Sequence, residues 1–235
     1  MGLVSLAEIM QTIAENLNQV HARMQAACTA CGRAPGSVKL LAVSKTMPAD
    51  ALRQAHAAGQ MAFGENYIQE AVDKMRSLAD LPLEWHCIGP IQSNKSKLVA
   101  ENFAWVHSID RLKIAQRLAQ QRPANLPPLQ VCLQVNVDGG NNKAGIAPSE
   151  LLALARAVSV LPQLRLRGLM TLPEPAADFA TACAVHRQAR LLFESLQAEG
   201  FEVDTLSMGM TADLEAAVQE GSTLLRVGTA IFGAR

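Results

Sequence analysis

The chain has 235 residues, 49% hydrophobic and 18% charged, with 21 basic and 21 acidic side chains. That length and apolar content suit one large globular domain with a substantial core. Zero net charge argues against a nucleic-acid footprint or an anionic-membrane binder. No apolar run approaches the roughly 18 residues of a membrane-spanning helix.

Met1 to Met10 contain Glu8 and lack a basic stretch followed by a cleavage site, so no secretory signal is expected. The five cysteines, Cys28, Cys31, Cys87, Cys132 and Cys183, are odd in number and scattered, as in a cytosolic chain with reduced thiols. Cys28-Thr29-Ala30-Cys31 is a lone C-x-x-C after a helical segment. It lacks the further ligands that zinc needs and the strand context of a redox motif.

Apolar residues at Leu6, Ile9, Ile13, Leu17, Val20 and Met24 recur in steps of three and four, which predicts an amphipathic helix over Leu6–Ala27. Gly32, Pro35 and Gly36 break it. Strands are then predicted at Val38–Val43, Met61–Asn66, Glu84–Gly89, Phe103–Ser108, Leu129–Val137, Leu164–Met170, Thr205–Met208 and Leu224–Gly228. Between them lie helical segments at Pro48–Ala58, Ile68–Leu78, Lys95–Glu101, Leu112–Gln120, Pro148–Ser159, Ala177–Glu199 and Leu214–Glu220. Asp110 is placed to cap the fourth of these. Eight strands alternating with helices predict a single-domain (β/α)8 TIM barrel spanning 1–235, with an extra N-terminal helix. An open doubly wound sheet is the runner-up.

In such a barrel the residues after the strands gather at one face. Those positions hold Lys45, Asn66, His86, His107 or Ser108, Asn136, Met170-Thr171, Ser207 and Arg226. No acid cluster marks a divalent-metal site. His86 and His107 read as hydrogen-bonded residues rather than metal ligands. Lys45 follows the first strand, where a desolvated amine can become a Schiff-base nucleophile for an aldehyde.

Ser207-Met208-Gly209-Met210-Thr211 and Leu225-Arg226-Val227-Gly228-Thr229 each carry glycine and hydroxyls between a strand and a helix, which suits a phosphate cradle after strands seven and eight. A lysine and a phosphate cradle together suggest an aldehyde-bearing phosphate, and pyridoxal 5′-phosphate (PLP) fits both ends. Absence of a G-x-G-x-x-G turn after the first strand argues against NAD.

The segments Ala42-Val43-Ser44-Lys45-Thr46, Phe63-Gly64-Glu65-Asn66-Tyr67, Trp85 to Lys95, Leu206-Ser207-Met208-Gly209-Met210-Thr211 and Arg226 to Gly233 resemble the PLP homeostasis proteins, single-domain relatives of the alanine racemase barrel. The resemblance runs in motif order from the first strand to the C-terminus. It implies a PLP-binding protein that buffers or delivers PLP, with effects on amino-acid and keto-acid balance and without established turnover.

It further implies Lys45 as the aldimine lysine, Ser207, Gly228, Thr229 and Thr211 at the phosphate, Arg226 facing the pyridine nitrogen, and Asn66 beside the cofactor. Thr211 stands where serine is common, and a hydroxyl is kept. PLP-dependent apoenzymes are the expected recipients, and the missing racemase β-domain favours a monomer. The alternatives are a PLP-dependent racemase or lyase, and a sugar-phosphate barrel enzyme using Lys45. A two-base racemase needs a tyrosine opposite the lysine, and the sole tyrosine, Tyr67, follows strand two.

Overall fold

The computed structural model describes residues 6–139 and 144–233, with side chains from residue 12 onward. Eight parallel strands close into a barrel in sequential order. They are β1 (Lys39–Val43), β2 (Ala62–Glu65), β3 (Glu84–Cys87), β4 (Trp105–Ile109), β5 (Leu129–Val135), β6 (Leu164–Thr171), β7 (Thr205–Ser207) and β8 (Leu224–Val227). Closure is set by β1 against β8, with Lys39 opposite Leu224 and Ala42 opposite Val227.

The helices are α1 (Leu6–Ala30), α2 (Ala49–Ala57), α3 (Ile68–Ser77), α4 (Ser96–Asn102), α5 (Leu112–Gln121), α6 (Leu151–Ser159), α7 (Phe179–Ala198), α8 (Leu214–Gln219) and α9 (Thr229–Phe232). The expected barrel and its N-terminal helix are therefore both present.

Strands buried on both faces need helices outside them. After β8 the described chain supplies only the single turn of α9, so the outer ring is short of a helix there. α1 takes the place, packing against α2, α8 and α9. Its buried stripe of Ile13, Leu17, Val20, Met24 and Ala27 faces the barrel, while Leu6 and Ile9 lie outside the described side chains. Asn16 Nδ2 donates to Ile231 O at 2.9 Å, and Arg23 pairs with Glu215 at 2.9 Å, tying α1 to α9 and α8. The same helix logic holds at α5, where Ile114, Ala115, Leu118 and Ala119 form the one buried face.

Three local readings change. Asp110 does not cap α5: β4 runs on to Ile109, Arg111 occupies the cap position, and the Asp110 carboxylate instead accepts from Arg111 Nη1 at 3.1 Å. Residues Pro148–Glu150 form a separate 3-10 turn before α6, because proline fits a helix start but not its interior. The four-residue α9 is too short to show a helical period in sequence. Among the described residues, no helix is long and apolar enough to cross a membrane.

Candidate functional site

β1 leads directly into the site. Two residues past its end stands Lys45, partly buried. The backbone then turns through Thr46 at φ 64°, in the left-handed region that a β-branched residue rarely adopts. Three contacts hold this turn. Met47 N donates to Ser44 O at 3.0 Å, Lys74 Nζ donates to Ser44 O at 2.7 Å, and Thr46 N donates to a Glu70 carboxylate oxygen at 2.6 Å.

Behind them lies a buried acid–base cluster. Glu65 Oε1, from β2, accepts from Ser44 Oγ at 2.6 Å and from Lys74 Nζ at 2.8 Å. Lys74 also pairs with Glu70 at 2.6 Å, one helical turn away on α3. Burial raises the Glu65 carboxyl above the ordinary carboxylate range, while Lys74 and Ser44 pull it back. Strain at Thr46 beside a lysine that enters the cavity is the pattern of a held functional group.

On the neighbouring strand β8, Arg226 is 4% exposed. Its Nη1 donates to Ser207 Oγ and its Nη2 to Thr171 O, both at 2.8 Å. Burial lowers the guanidinium to about 10, which leaves it charged at neutral pH. Asn66 follows β2 and is pressed against Gly89. A Cβ at Gly89 would lie 2.3 Å from Asn66 O, so no larger residue fits there. Asn66 Oδ1 is buried without a hydrogen-bond partner, as is Thr171 Oγ1. Such orphans are costly unless something else meets them.

These groups surround a cavity of about 300 Å³ at the C-terminal mouth of the barrel. Lys45, Asn66, Thr211, Arg226, Gly228 and Thr229 line it together with the apolar Val43, Ile88, Met170, Leu172 and Met210. Six of the seven residues expected at the site thus share one space. A larger groove of about 600 Å³ lies at the opposite end, lined by Lys39, Glu84, Trp105, Arg122 and Arg167. Two of its arginines are already committed: Arg122 donates to three backbone carbonyls, and Arg167 is paired with Asp204 and bonded to Gln130. Barrel chemistry belongs to the C-terminal mouth, and the smaller cavity is the candidate site.

Ser207 is the exception. It is fully buried and does not line the cavity. Its Oγ accepts from Arg226 and lies 2.9 Å from His107 Nδ1. The hydroxyl expected at a phosphate is turned into the barrel, because β7 ends at Ser207 and its last side chain still points inward. The turn that follows is also partly used: Gly209, at φ 94°, reverses the chain, and the Met210 N–H is taken by Asp213 at 2.6 Å. Thr211, two residues on, lines the cavity.

His86 and His107 are not at the mouth either. Both are buried inside the barrel, 2.9 Å apart from Nδ1 to Nε2, and His86 Nε2 lies 2.9 Å from Glu84 Oε1. Asn136 Oδ1 accepts from Gly139 N at 3.1 Å, within its own loop. Among the described residues, no group of three His, Cys, Asp or Glu side chains could hold a metal. Cys28 is buried and Cys31 donates to Ala27 O at 3.1 Å, so this pair serves the end of α1.

Sequence reasoning missed Glu65, Lys74 and Glu70. The only available signal was Glu70 four residues before Lys74 on a helix, a spacing common on solvated faces.

Comparison with known proteins gives a consistent result. The family model for the alanine racemase N-terminal domain matches residues 10–235. A pyridoxal phosphate homeostasis protein of Pseudomonas aeruginosa is 62% identical over 226 residues, covering 96% of this chain and 97% of the relative. One from Escherichia coli is 55% identical over 229 residues, covering 96% and 98%.

PipY of Synechococcus elongatus, solved without PLP, superposes with a TM-score of 0.83 at 41% identity, covering 94% of this chain and all of that one. Its PLP-bound form superposes equally well at 40% identity. Alanine racemase from Corynebacterium glutamicum, 17% identical with a TM-score of 0.73, shares the fold over 96% of this chain and 62% of its own. By sequence, family model and structure, the chain belongs to the pyridoxal phosphate homeostasis proteins, within the alanine racemase N-terminal domain family.

Proposed function

We propose that this protein binds PLP in the C-terminal cavity and serves PLP homeostasis, buffering the cofactor or delivering it to PLP-dependent apoenzymes. The observation that carries the reading is the convergence of Lys45, Arg226, Thr211 and Thr229 on one cavity with the orphaned Asn66 Oδ1. Bound PLP supplies an aldehyde, a phosphate and a pyridine ring, and the residues present fit each. Lys45 offers the amine for the aldehyde. Thr211, Gly228 and Thr229 offer hydroxyl and backbone donors for phosphate where β7 and β8 end. Arg226 would face the pyridine nitrogen, and its fixed positive charge would disfavour a proton there.

Such a contact would mute the ring as an electron sink, which is compatible with storage. The lining supports the same conclusion. Among the described residues, the cavity-lining side chains that carry an ionisable group are Lys45 and Arg226, and Arg226 is bonded to Ser207 and Thr171. Tyr67 is exposed and does not line the cavity, so a second base opposite Lys45 is lacking. On this reading the protein is a carrier, and we propose that it works as a monomer in the cytoplasm. The choice of ligand is supported by a relative at 40% identity solved with PLP bound, and by relatives above 50% identity named for pyridoxal phosphate homeostasis.

The test is a visible spectrum after incubation with PLP, then borohydride reduction and peptide mass mapping. An absorbing adduct on Lys45 is expected. Lys45→Ala is expected to lose the adduct and to weaken retention by at least about 2 kcal/mol, roughly 30-fold. Folded wild-type protein that takes up no PLP would refute the reading, and amino-acid racemisation at an enzyme-like rate would refute the carrier role.

A further inference from the structure

The inside of this barrel is unusual. Such interiors are ordinarily filled by Val, Ile and Leu, yet here a line of polar side chains crosses from one end to the other. Arg226 of β8 donates to Ser207 of β7 at 2.8 Å, Ser207 meets His107 of β4 at 2.9 Å, His107 meets His86 of β3 at 2.9 Å, and His86 meets Glu84 at 2.9 Å. Arg226, Ser207, His107 and His86 are each at most 4% exposed. Glu84 closes the line at the far end, with its side chain 52% exposed. Trp105 stacks on His86, with 5.3 Å between centroids and 6° between planes, and fixes that ring.

With both imidazoles neutral, the donors and acceptors permit one arrangement with every bond made. A guanidinium only donates and a carboxylate only accepts. Ser207 Oγ accepts from Arg226, so its own proton goes to His107 Nδ1. His107 then carries its proton on Nε2 and donates to His86 Nδ1. His86 carries its proton on Nε2 and donates to Glu84. With the reverse tautomers the bare His86 Nε2 would face a carboxylate oxygen at 2.9 Å, two lone pairs in contact.

Both imidazoles are neutral at pH 7 because burial disfavours their charged form. That holds both below the ordinary histidine range, with the Arg226 charge adding to the effect at His107. All four donors point from Arg226 toward Glu84. The lone pairs thus face the guanidinium along the whole line, and aligned bonds reinforce one another. Arg226 has no proton to release at physiological pH, so the line orients and does not conduct.

We propose that Glu84, His86 and His107 are positioning residues for Arg226: through Ser207 they fix the guanidinium at the cavity floor, charged and with a set direction. The consequence for a bound ring nitrogen rests on the PLP reading above; the positioning does not. The experiment separates the two.

In the protein without added PLP, histidine ¹⁵N spectra at pH 7 are expected to show His86 and His107 as neutral Nε2–H tautomers, and the Arg226 guanidinium is expected to give separate, slowly exchanging Nη signals. His107→Phe is expected to collapse those Nη signals into one. Glu84→Leu, a change at a half-exposed position for use if His107→Phe does not fold, is expected to switch the His86 tautomer and broaden them. Glu84→Gln keeps an acceptor for His86 and is expected to leave both tautomers in place.

Protein loaded with PLP labelled at the ring nitrogen is then expected to show an unprotonated nitrogen in wild type and a shift toward the protonated position in His107→Phe or Glu84→Leu. An Nδ1–H tautomer or an imidazolium in the unloaded wild type overturns the proposal. So do Arg226 signals indifferent to both variants. If PLP does not bind, the cofactor reading fails, and the unloaded spectra still decide the positioning.

Discussion

Two buried polar groups flank the cavity, and they are built in opposite ways. Behind Lys45, full charges meet directly: Glu65, with no side-chain exposure, touches Lys74, which is 8% exposed and also grips Glu70. Beneath Arg226, the charges stand at the two ends and neutral groups fill the space between them. The first arrangement holds a loop, and each contact it makes there is to backbone or serine near Lys45. The second holds a side chain. A charged cluster depends on every member being present, whereas a neutral line depends on direction, so the two should fail differently.

The largest expected effect is at Lys74. Lys74→Met leaves Glu65 buried without its cation, a change that typically costs about 3–5 kcal/mol. Chemical denaturation should show the loss, and the deficit should grow with pH as Glu65 is forced to ionise. The double variant Lys74→Met/Glu65→Leu should recover most of it, since well-packed apolar replacements of buried ion pairs are often neutral. A Lys74→Met cost below about 1 kcal/mol, in the range of surface pairs, would show that the cluster is not the anchor of the Lys45 turn.

How much of this was legible follows the same division. The barrel could be read because each strand is a short apolar run with a turn signal after it, and the mouth residues because strand ends fix their positions. Lys45, Asn66 and Arg226 fell where expected for that reason. Ser207 did not, because a strand ending one residue earlier or later sends the same side chain to the mouth or to the interior. The Glu65 cluster is assembled from β2, α3 and the β1 exit, and no local spacing announces a contact of that kind. The His86–His107 pair reads as hydrogen-bonded from sequence, but its partners on β7 and at the start of β3 depend on barrel closure.

A middle-sized effect separates the regions by the sign of their response to acid. His86 and His107 are held below their unfolded value near 6.5, so the unfolded chain binds more protons below that pH. Their contribution is complete above pH 6.5 and is lost as pH falls through and below it, at up to about 1.4 kcal/mol per pH unit for each histidine. Glu84 pulls His86 toward its charged form, while Lys39 and Arg226 oppose protonation of the pair.

Glu65 runs the other way. Its folded value is raised above 4.5, so the folded chain binds more protons there, and its contribution declines as pH rises through that window. Urea unfolding between pH 4 and 8 should therefore show a shallower rise of stability with pH in His107→Phe and, from about pH 4.5 upward, a steeper one in Glu65→Gln. Parallel shifts of the whole curve in both variants would erase the distinction.

The smallest effect tests whether the Lys45 turn is strained or simply held. Thr46 sits at φ 64°, which costs a β-branched residue about 1–3 kcal/mol. Thr46→Gly removes that cost and adds roughly 0.5–1 kcal/mol of backbone entropy lost on folding. The Thr46 N–H to Glu70 bond survives, because it is made by backbone. The net change should be a stabilisation between about 0 and 2.5 kcal/mol, with each kcal/mol worth about 2–4 °C in Tm at this chain length.

Thr46→Ala keeps the strain, so it should leave Tm within about 1 °C of wild type by the same scale. PLP retention should fall in Thr46→Gly alone, since a turn free to leave the left-handed region no longer presents Lys45 in one place. A Thr46→Gly protein that is more stable and retains PLP as well as wild type would show that the charged cluster suffices to position Lys45 and that the backbone strain contributes nothing to it.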